Sequence, residues 1–218
     1  LSDESLFREV DEEVRQEQFK KLWARFGNLV IGVCLLVIIG VGGFQGWQYW
    51  QKKQAQAAGD SYFSAAELAA DGKPEDALKQ FETISHPGFA GLAKMREAAL
   101  LSSQGKAAES VKIFDAVAAD TTQDGTLRDL AAVRAAAVLA DSASFADIET
   151  RLKPFVTEGN PWRHVAREIM ATVQWRLKDY NGADQQVQAI LGDPEVPPSL
   201  RQRAQVMAQL LQPLVAKQ

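Results

Sequence analysis

Gly72-Lys-Pro-Glu-Asp-Ala-Leu-Lys-Gln-Phe81 recurs 33 residues later as Gly105-Lys-Ala-Ala-Glu-Ser-Val-Lys-Ile-Phe114. The two stretches share the glycine, both lysines, the closing phenylalanine and an aliphatic residue before it. A third copy reads Lys178-Asp-Tyr-Asn-Gly-Ala-Asp-Gln-Gln-Val187, with Ala183 in the place of Ala77. A fourth and more degenerate copy, Asp141-Ser-Ala-Ser-Phe-Ala-Asp-Ile148, centres on Ala146. No convincing strand separates these copies. Self-similarity at such a period marks a stack of helix–turn–helix units, each too small to bury its own apolar face.

The pattern resembles the tetratricopeptide repeat, a unit of about 34 residues with small and aromatic residues at fixed positions. In that unit a glycine closes the first helix, an alanine admits the second helix closely, and a phenylalanine fills the gap to the next repeat. The tryptophan–leucine–glycine signature of the first helix is not evident here. The sequence predicts an all-α fold, with helix pairs at 54–71 and 74–85, 89–104 and 106–120, 126–140 and 144–157, and 162–178 and 181–192. A last helix near 198–216 caps the stack, with Ser199 as its candidate N-cap after a proline-rich turn. Pro154 and Pro213 fall inside helical patterns and should kink or shorten them.

Upstream, Leu29-Val-Ile-Gly-Val-Cys-Leu-Leu-Val-Ile-Ile-Gly-Val-Gly-Gly-Phe44 is wholly apolar or glycine. The charge-free stretch extends through Trp50, and a helix needs about 20 such residues to cross the hydrocarbon core. Phe19, Trp23 and Phe26 before it, and Phe44, Trp47, Tyr49 and Trp50 after it, fit the two aromatic interfacial belts. A cleaved signal peptide is a poor match. The lead is too long, and aromatic residues stand where a small-residue cleavage site would be. The chain therefore divides into an N-terminal segment 1–25, a transmembrane helix 26–50 and a helical repeat domain 51–218. The run after Trp50 is rich in helix formers, so the span should continue as helix, with Gly59 its weakest point.

Arg8, Arg15, Lys20, Lys21 and Arg25 precede the span, while only Lys52 and Lys53 follow it before Lys73. This asymmetry predicts a cytoplasmic N-terminus and, in a Gram-negative bacterium, a periplasmic repeat domain. Phe7, Val10, Val14, Leu22 and Phe26 recur on one helical face of the lead, with Ser2 and Asp3 as candidate caps and Asp3, Glu4 and Glu9 suited to its first turns. Residue 1 is Leu, read as an alternative start or a truncation. The one cysteine, Cys34, lies within the span, so the repeat domain needs no disulfide.

The residues offer little chemistry. Net charge is −4, with no basic excess to bind nucleic acid. His86 and His164 are 78 positions apart and make no metal signature. No glycine-rich phosphate loop follows a strand, and Ser102 and Ser103 lack a histidine–carboxylate framework. Carboxylate pairs such as Glu75 with Asp76 and Asp147 with Glu149 read as solvated helix faces. The expectation is a non-enzyme without cofactor, metal or small-molecule substrate.

Two features point to binding instead. Gly32, Gly40, Gly43 and Gly46 fall near one stripe of the span, and Gly42 with Gly46 forms a Gly-x-x-x-Gly pair. Small residues let another helix approach in lipid. On the predicted helix 162–178, Trp162, Arg163, Arg167 and Arg176 mix aromatic and basic character and are candidates for a partner groove. Trp175 and Tyr180 read as packing between helices.

The layout, an acidic lead, one glycine-rich span leaving through Gly46-Trp-Gln-Tyr-Trp50, and degenerate tetratricopeptide repeats, resembles the YfgM-like family across essentially the whole chain. That resemblance implies a non-enzymatic inner-membrane protein, ancillary to the SecYEG translocon and associated with a membrane-anchored periplasmic chaperone of the PpiD type. It transfers no catalytic or binding residue to individual positions. This chain departs from the family in its longer cytoplasmic lead and its own repeat boundaries. The alternative is an accessory or assembly subunit of another large inner-membrane complex, respiratory or photosynthetic.

Overall fold

A computed structural model describes residues 3–215 of the chain, with side chains described for residue 15 and for 19–215. The proposed cap by Ser2 lies outside the described residues. The apolar face built on Phe7, Val10 and Val14, and the acidic side chains of the first turns, lie outside the described side chains. Every regular element among the described residues is helical. They are α1 (Asp3–Ala70), α2 (Pro74–Glu82), α3 (Pro87–Ser103), α4 (Ala107–Ala119), α5 (Gly125–Leu139), α6 (Phe145–Leu152), α7 (Arg163–Arg176), α8 (Tyr180–Leu191) and α9 (Pro198–Val215), with one 3₁₀ turn, Lys153–Phe155. The chain divides into two compact units, Leu1–Gln56 and Ala57–Gln218.

In the first unit the apolar stretch of α1 is bare. Leu36, Ile39 and Phe44 are each more than three-fifths exposed. Its best window has a mean hydropathy of 2.3, and the helix is long and apolar enough to cross a membrane. Residues 26–50 as helix rise about 37 Å, more than the roughly 30 Å of a hydrocarbon core. Rings gather at both ends of the stretch: Phe19 stacks on Trp23 at 6.3 Å, and Trp47 lies 5.5 Å from Trp50. Helix α1 passes through Gly59 without a break.

The second unit is a series of helical hairpins. The end of α1 pairs with α2, α3 with α4, α5 with α6, and α7 with α8; α9 then packs on α8. Three of the four hairpin turns share one geometry. At Gly72 (φ 75°) Lys73 N–H donates back to the Leu68 carbonyl at 2.9 Å. At Gly105 (φ 77°) Lys106 N–H donates to Leu101 at 2.9 Å, and at Lys178 (φ 66°) Asp179 N–H donates to Gln174 at 2.9 Å. Each is a Schellman closure, in which a left-handed residue turns the chain and satisfies the orphan carbonyls of the first helix.

The second helices then meet the first through a repeated pair of positions four residues apart. Ala77 with Phe81, Ser110 with Phe114, and Ala183 with Val187 are all at most 2% exposed. A small residue brings the helix axes together, and the larger one fills the space beyond. The degenerate copy follows the same rule in a different register. Ala146 is exposed, and the buried pair is Ile148 with Leu152, both 0% exposed. The sequence reading centred this copy two residues too early because its turn is longer. Residues 140–144 close by Ala143 N–H to Leu139 without a left-handed residue. Ser144 then caps α6, accepting from Asp147 N–H and donating to the Asp147 carboxylate at 2.6 Å.

Two further expectations change. Ser199 is not a cap; α9 begins at Pro198, and Arg201 N–H already donates to the Pro197 carbonyl. Pro213 sits in the last turn of α9, which continues to Val215. Pro154 does shorten its helix: α6 stops at Leu152 and tightens into the 3₁₀ turn. The first helices α3, α5, α7 and α9 pack successively on one another, whereas the second helices have no comparable packing among themselves. The layer of first helices is the tighter side of the stack.

Candidate functional site

The glycine stripe of α1 is open. A Cβ built on Gly32, Gly40, Gly42, Gly43 or Gly46 would meet nothing within 4 Å. Among the described residues the stripe is thus a strip of backbone with open space over it, the kind of surface that lets helices approach closely in lipid. Gly59, by contrast, already has its close neighbour, the Phe89 ring at 3.2 Å from such a Cβ.

The aromatic and basic residues singled out near α7 have internal partners. Trp162 precedes the helix and packs against the core shared by α5, α6 and α7; its indole N–H is buried without a partner among the described residues. Arg163 is 9% exposed. Its Nε meets Asp193 Oδ2 at 2.6 Å, and its Nη2 meets Asp193 Oδ1 at 3.2 Å and Glu195 Oε2 at 2.6 Å. Arg167 donates to the Val156 carbonyl, and Arg176 donates to the carbonyls of Ala140 and Ala143. Each thereby ties α7 to a turn or loop. Arg163 and Arg167 nevertheless line one groove of about 740 Å³, with Val156, Glu158, Asp193 and Glu195, while Trp162 and Arg176 are not among its lining residues.

Asp193 is the hub of the loop between α8 and α9. Besides Arg163 it holds His164 Nε2 at 2.9 Å and accepts the Glu195 N–H at 2.9 Å. The Arg163 guanidinium, with the Glu195 N–H and His164, holds its carboxyl well below the usual carboxylate range, and the same pairing raises Arg163. His164 is therefore a buried structural residue. His86 is another kind of structural residue: its Nδ1 accepts the Gly88 N–H and caps α3. Among the described residues no group of three or more His, Cys, Asp or Glu is placed to hold a metal ion.

Two further grooves lie on the layer of first helices. One groove of about 410 Å³ lies along the end of α1, α3 and α5, lined by Tyr62, Leu92, Met95, Arg96, Leu127, Leu130 and Arg134 among others. A second, of about 560 Å³, lies between α7 and α9, where Trp175 and Met207 meet Val206 and Leu210, the last two 52% and 57% exposed. The Arg203–Glu168 ion pair at 2.6 Å lies beside it. Trp175 also packs edge-on against Tyr180 at 5.8 Å. Sequence reasoning missed Arg96, Arg134, Val206 and Leu210. Each sits on a helix whose other face carries the core, and a single sequence marks only the buried face clearly.

The family model described as tetratricopeptide repeat-like domain matches residues 20–159, more than half of the chain. The match takes in the apolar stretch of α1 together with the hairpins through α6. No curated protein and no solved structure matches the chain.

Proposed function

This chain belongs to the tetratricopeptide repeat-like domain family, and from that premise we propose that it is a membrane-anchored scaffold without catalytic activity. The family supports the coarser part, a domain that binds other proteins. One observation carries the rest: the chain that bears the hairpins also bears a helix long and apolar enough to cross a membrane, whose large apolar side chains from Leu29 to Trp50 are all exposed. Lipid is the medium in which such a surface is stable. The lysine and arginine asymmetry orients the span with its N-terminus in the cytoplasm, and the open strip of Gly32, Gly40, Gly43 and Gly46 docks it against a partner helix. The repeat domain, on the periplasmic side, holds a protein partner.

The resemblance to the YfgM-like family supports subunits of the protein-export translocon and a membrane-anchored chaperone of the PpiD type as the proposed partners. The test is purification of the tagged full chain from native membranes in mild detergent, with mass-spectrometric identification of what copurifies. Translocon subunits and such a chaperone should be recovered in amounts comparable to the bait. Recovery of respiratory or photosynthetic subunits in their place would assign the chain to another inner-membrane complex.

A further inference from the structure

The second unit contains nine arginines, and seven of them are committed to acceptors of the fold. Arg151 grips Asp115, Arg163 grips Asp193 and Glu195, and Arg203 grips Glu168. Arg128, Arg167, Arg176 and Arg201 donate to backbone carbonyls. The remaining two are different. Arg96 bonds only the Tyr62 hydroxyl, at 3.2 Å, and Arg134 has neither carboxylate nor carbonyl partner among the described residues. Both are exposed, and both line the same groove, Arg96 from α3 and Arg134 from α5. They share it with Leu92, Met95, Leu127 and Leu130, and no carboxylate lines it.

The groove among α2, α3 and α4 provides the contrast. There Glu82, Glu97 and Glu109 stand with Lys94 and Lys112, so the fold supplies both signs. Between α3 and α5 it supplies one sign only, on an apolar bed. A guanidinium is a planar, paired donor whose strongest partner is a carboxylate. Apolar lining beside it gives a site for aliphatic anchors and lowers the local dielectric around the ion pair.

We propose that this groove docks a protein segment that alternates carboxylates with apolar side chains, Arg96 and Arg134 receiving the carboxylates. The inference rests on the reading that the repeat domain holds a protein partner. An anionic lipid surface is the poorer fit, since such recognition is built from clusters of about four to eight basic residues, and this groove has two set among leucines and a methionine.

The probe is a fluorescein-labelled peptide alternating glutamate and leucine, with a glutamine–leucine peptide as its neutral counterpart. Binding is read by anisotropy against the full chain in phosphatidylcholine nanodiscs. The glutamate peptide should bind at least about tenfold tighter than the glutamine peptide, and R96Q and R134Q should each cost about tenfold, as expected for loss of a charge-assisted pair. R96K/R134K should recover part of that loss by keeping charge without the paired donors. K112Q, which removes a charge of the same sign outside the groove, should bind as wild type does.

Equal binding of the two peptides, an unaffected R96Q/R134Q variant, or a loss in K112Q as large as in R96Q would overturn the proposal. So would nanodiscs containing phosphatidylglycerol abolishing peptide binding while the neutral discs permit it, which would assign the two arginines to headgroups. A partner copurified equally by wild type and R96Q/R134Q leaves the scaffold reading standing and removes this one. Recovery of no partner by either removes both.

Discussion

Lys178 stands at φ 66° in the turn of the α7–α8 hairpin, the backbone position that Gly72 holds at φ 75° in the first. The two turns close by the same pattern of backbone hydrogen bonds. A side chain there costs about 1–2 kcal/mol that glycine avoids. K178G should therefore raise stability by about 1 kcal/mol, and G72K should lower it by a similar amount. Thermal unfolding of the detergent-solubilised chain, followed by circular dichroism, measures both. A higher melting temperature for G72K would contradict the equivalence of the turns.

Ser110 occupies in α4 the close-packing position that Ala77 and Ala183 occupy in α2 and α8, and all three are 0% exposed. Its buried hydroxyl has no hydrogen-bond partner among the described residues. A buried unsatisfied hydroxyl costs about 1–3 kcal/mol, and alanine fits the site in both sister hairpins. S110A should stabilise the domain by about 1 kcal/mol. A melting temperature that falls instead would show that the hydroxyl has a partner.

Much of this organisation was legible in the residues. The 33-residue echo of Gly72–Phe81 located the hairpins, and the observed helices lie close to the periods read from it, because the small-and-large pair four residues apart is a packing rule written in residue type. The α5–α6 hairpin was misregistered for the complementary reason. Its longer turn carries no left-handed glycine, so alignment by turn pointed to Ala146, while burial chose Ile148 and Leu152. The candidate groove on α7 was drawn from residue character alone. Arg163 and Arg176 look like surface cations until Asp193 and the carbonyls of Ala140 and Ala143 are brought in from tens of residues away. Such long-range commitments decide which arginines are spare, and one sequence does not encode them locally.

The Asp193 hub carries a pH signature. Its folded carboxyl titrates below the ordinary value because Arg163, the Glu195 N–H and His164 favour the charged form. A depressed carboxylate contributes stability that is fully present above the unfolded pKa, about 3.9, and is lost as pH falls through the folded value. Melting temperature should decline as pH is lowered beneath about 4. D193N should melt lower than wild type at neutral pH and show a shallower decline on acidification. Parallel acid profiles for the two proteins would place the acid sensitivity elsewhere.

The glycine strip separates stability from association. Since a Cβ at Gly40 or Gly43 meets nothing within 4 Å among the described residues, G40L/G43L should leave the repeat domain's melting temperature unchanged. The bulk should still prevent close helix approach in lipid, reducing recovery of the membrane partner by about tenfold, as expected for loss of 1–2 kcal/mol of packing. Undiminished recovery would remove the strip from the interface.

Cys34, the single cysteine and a residue of the apolar stretch, supports the most direct measurement. In intact spheroplasts Cys34 should resist a membrane-impermeant maleimide and react fully once the membrane is dissolved in dodecyl sulfate. In a C34S background, S199C should label from outside, since residue 199 is exposed at the start of α9. That pair of results is what a single span with the repeat domain in the periplasm predicts. Labelling of Cys34 in intact membranes would contradict the anchor, and labelling of S199C only after lysis would contradict its orientation.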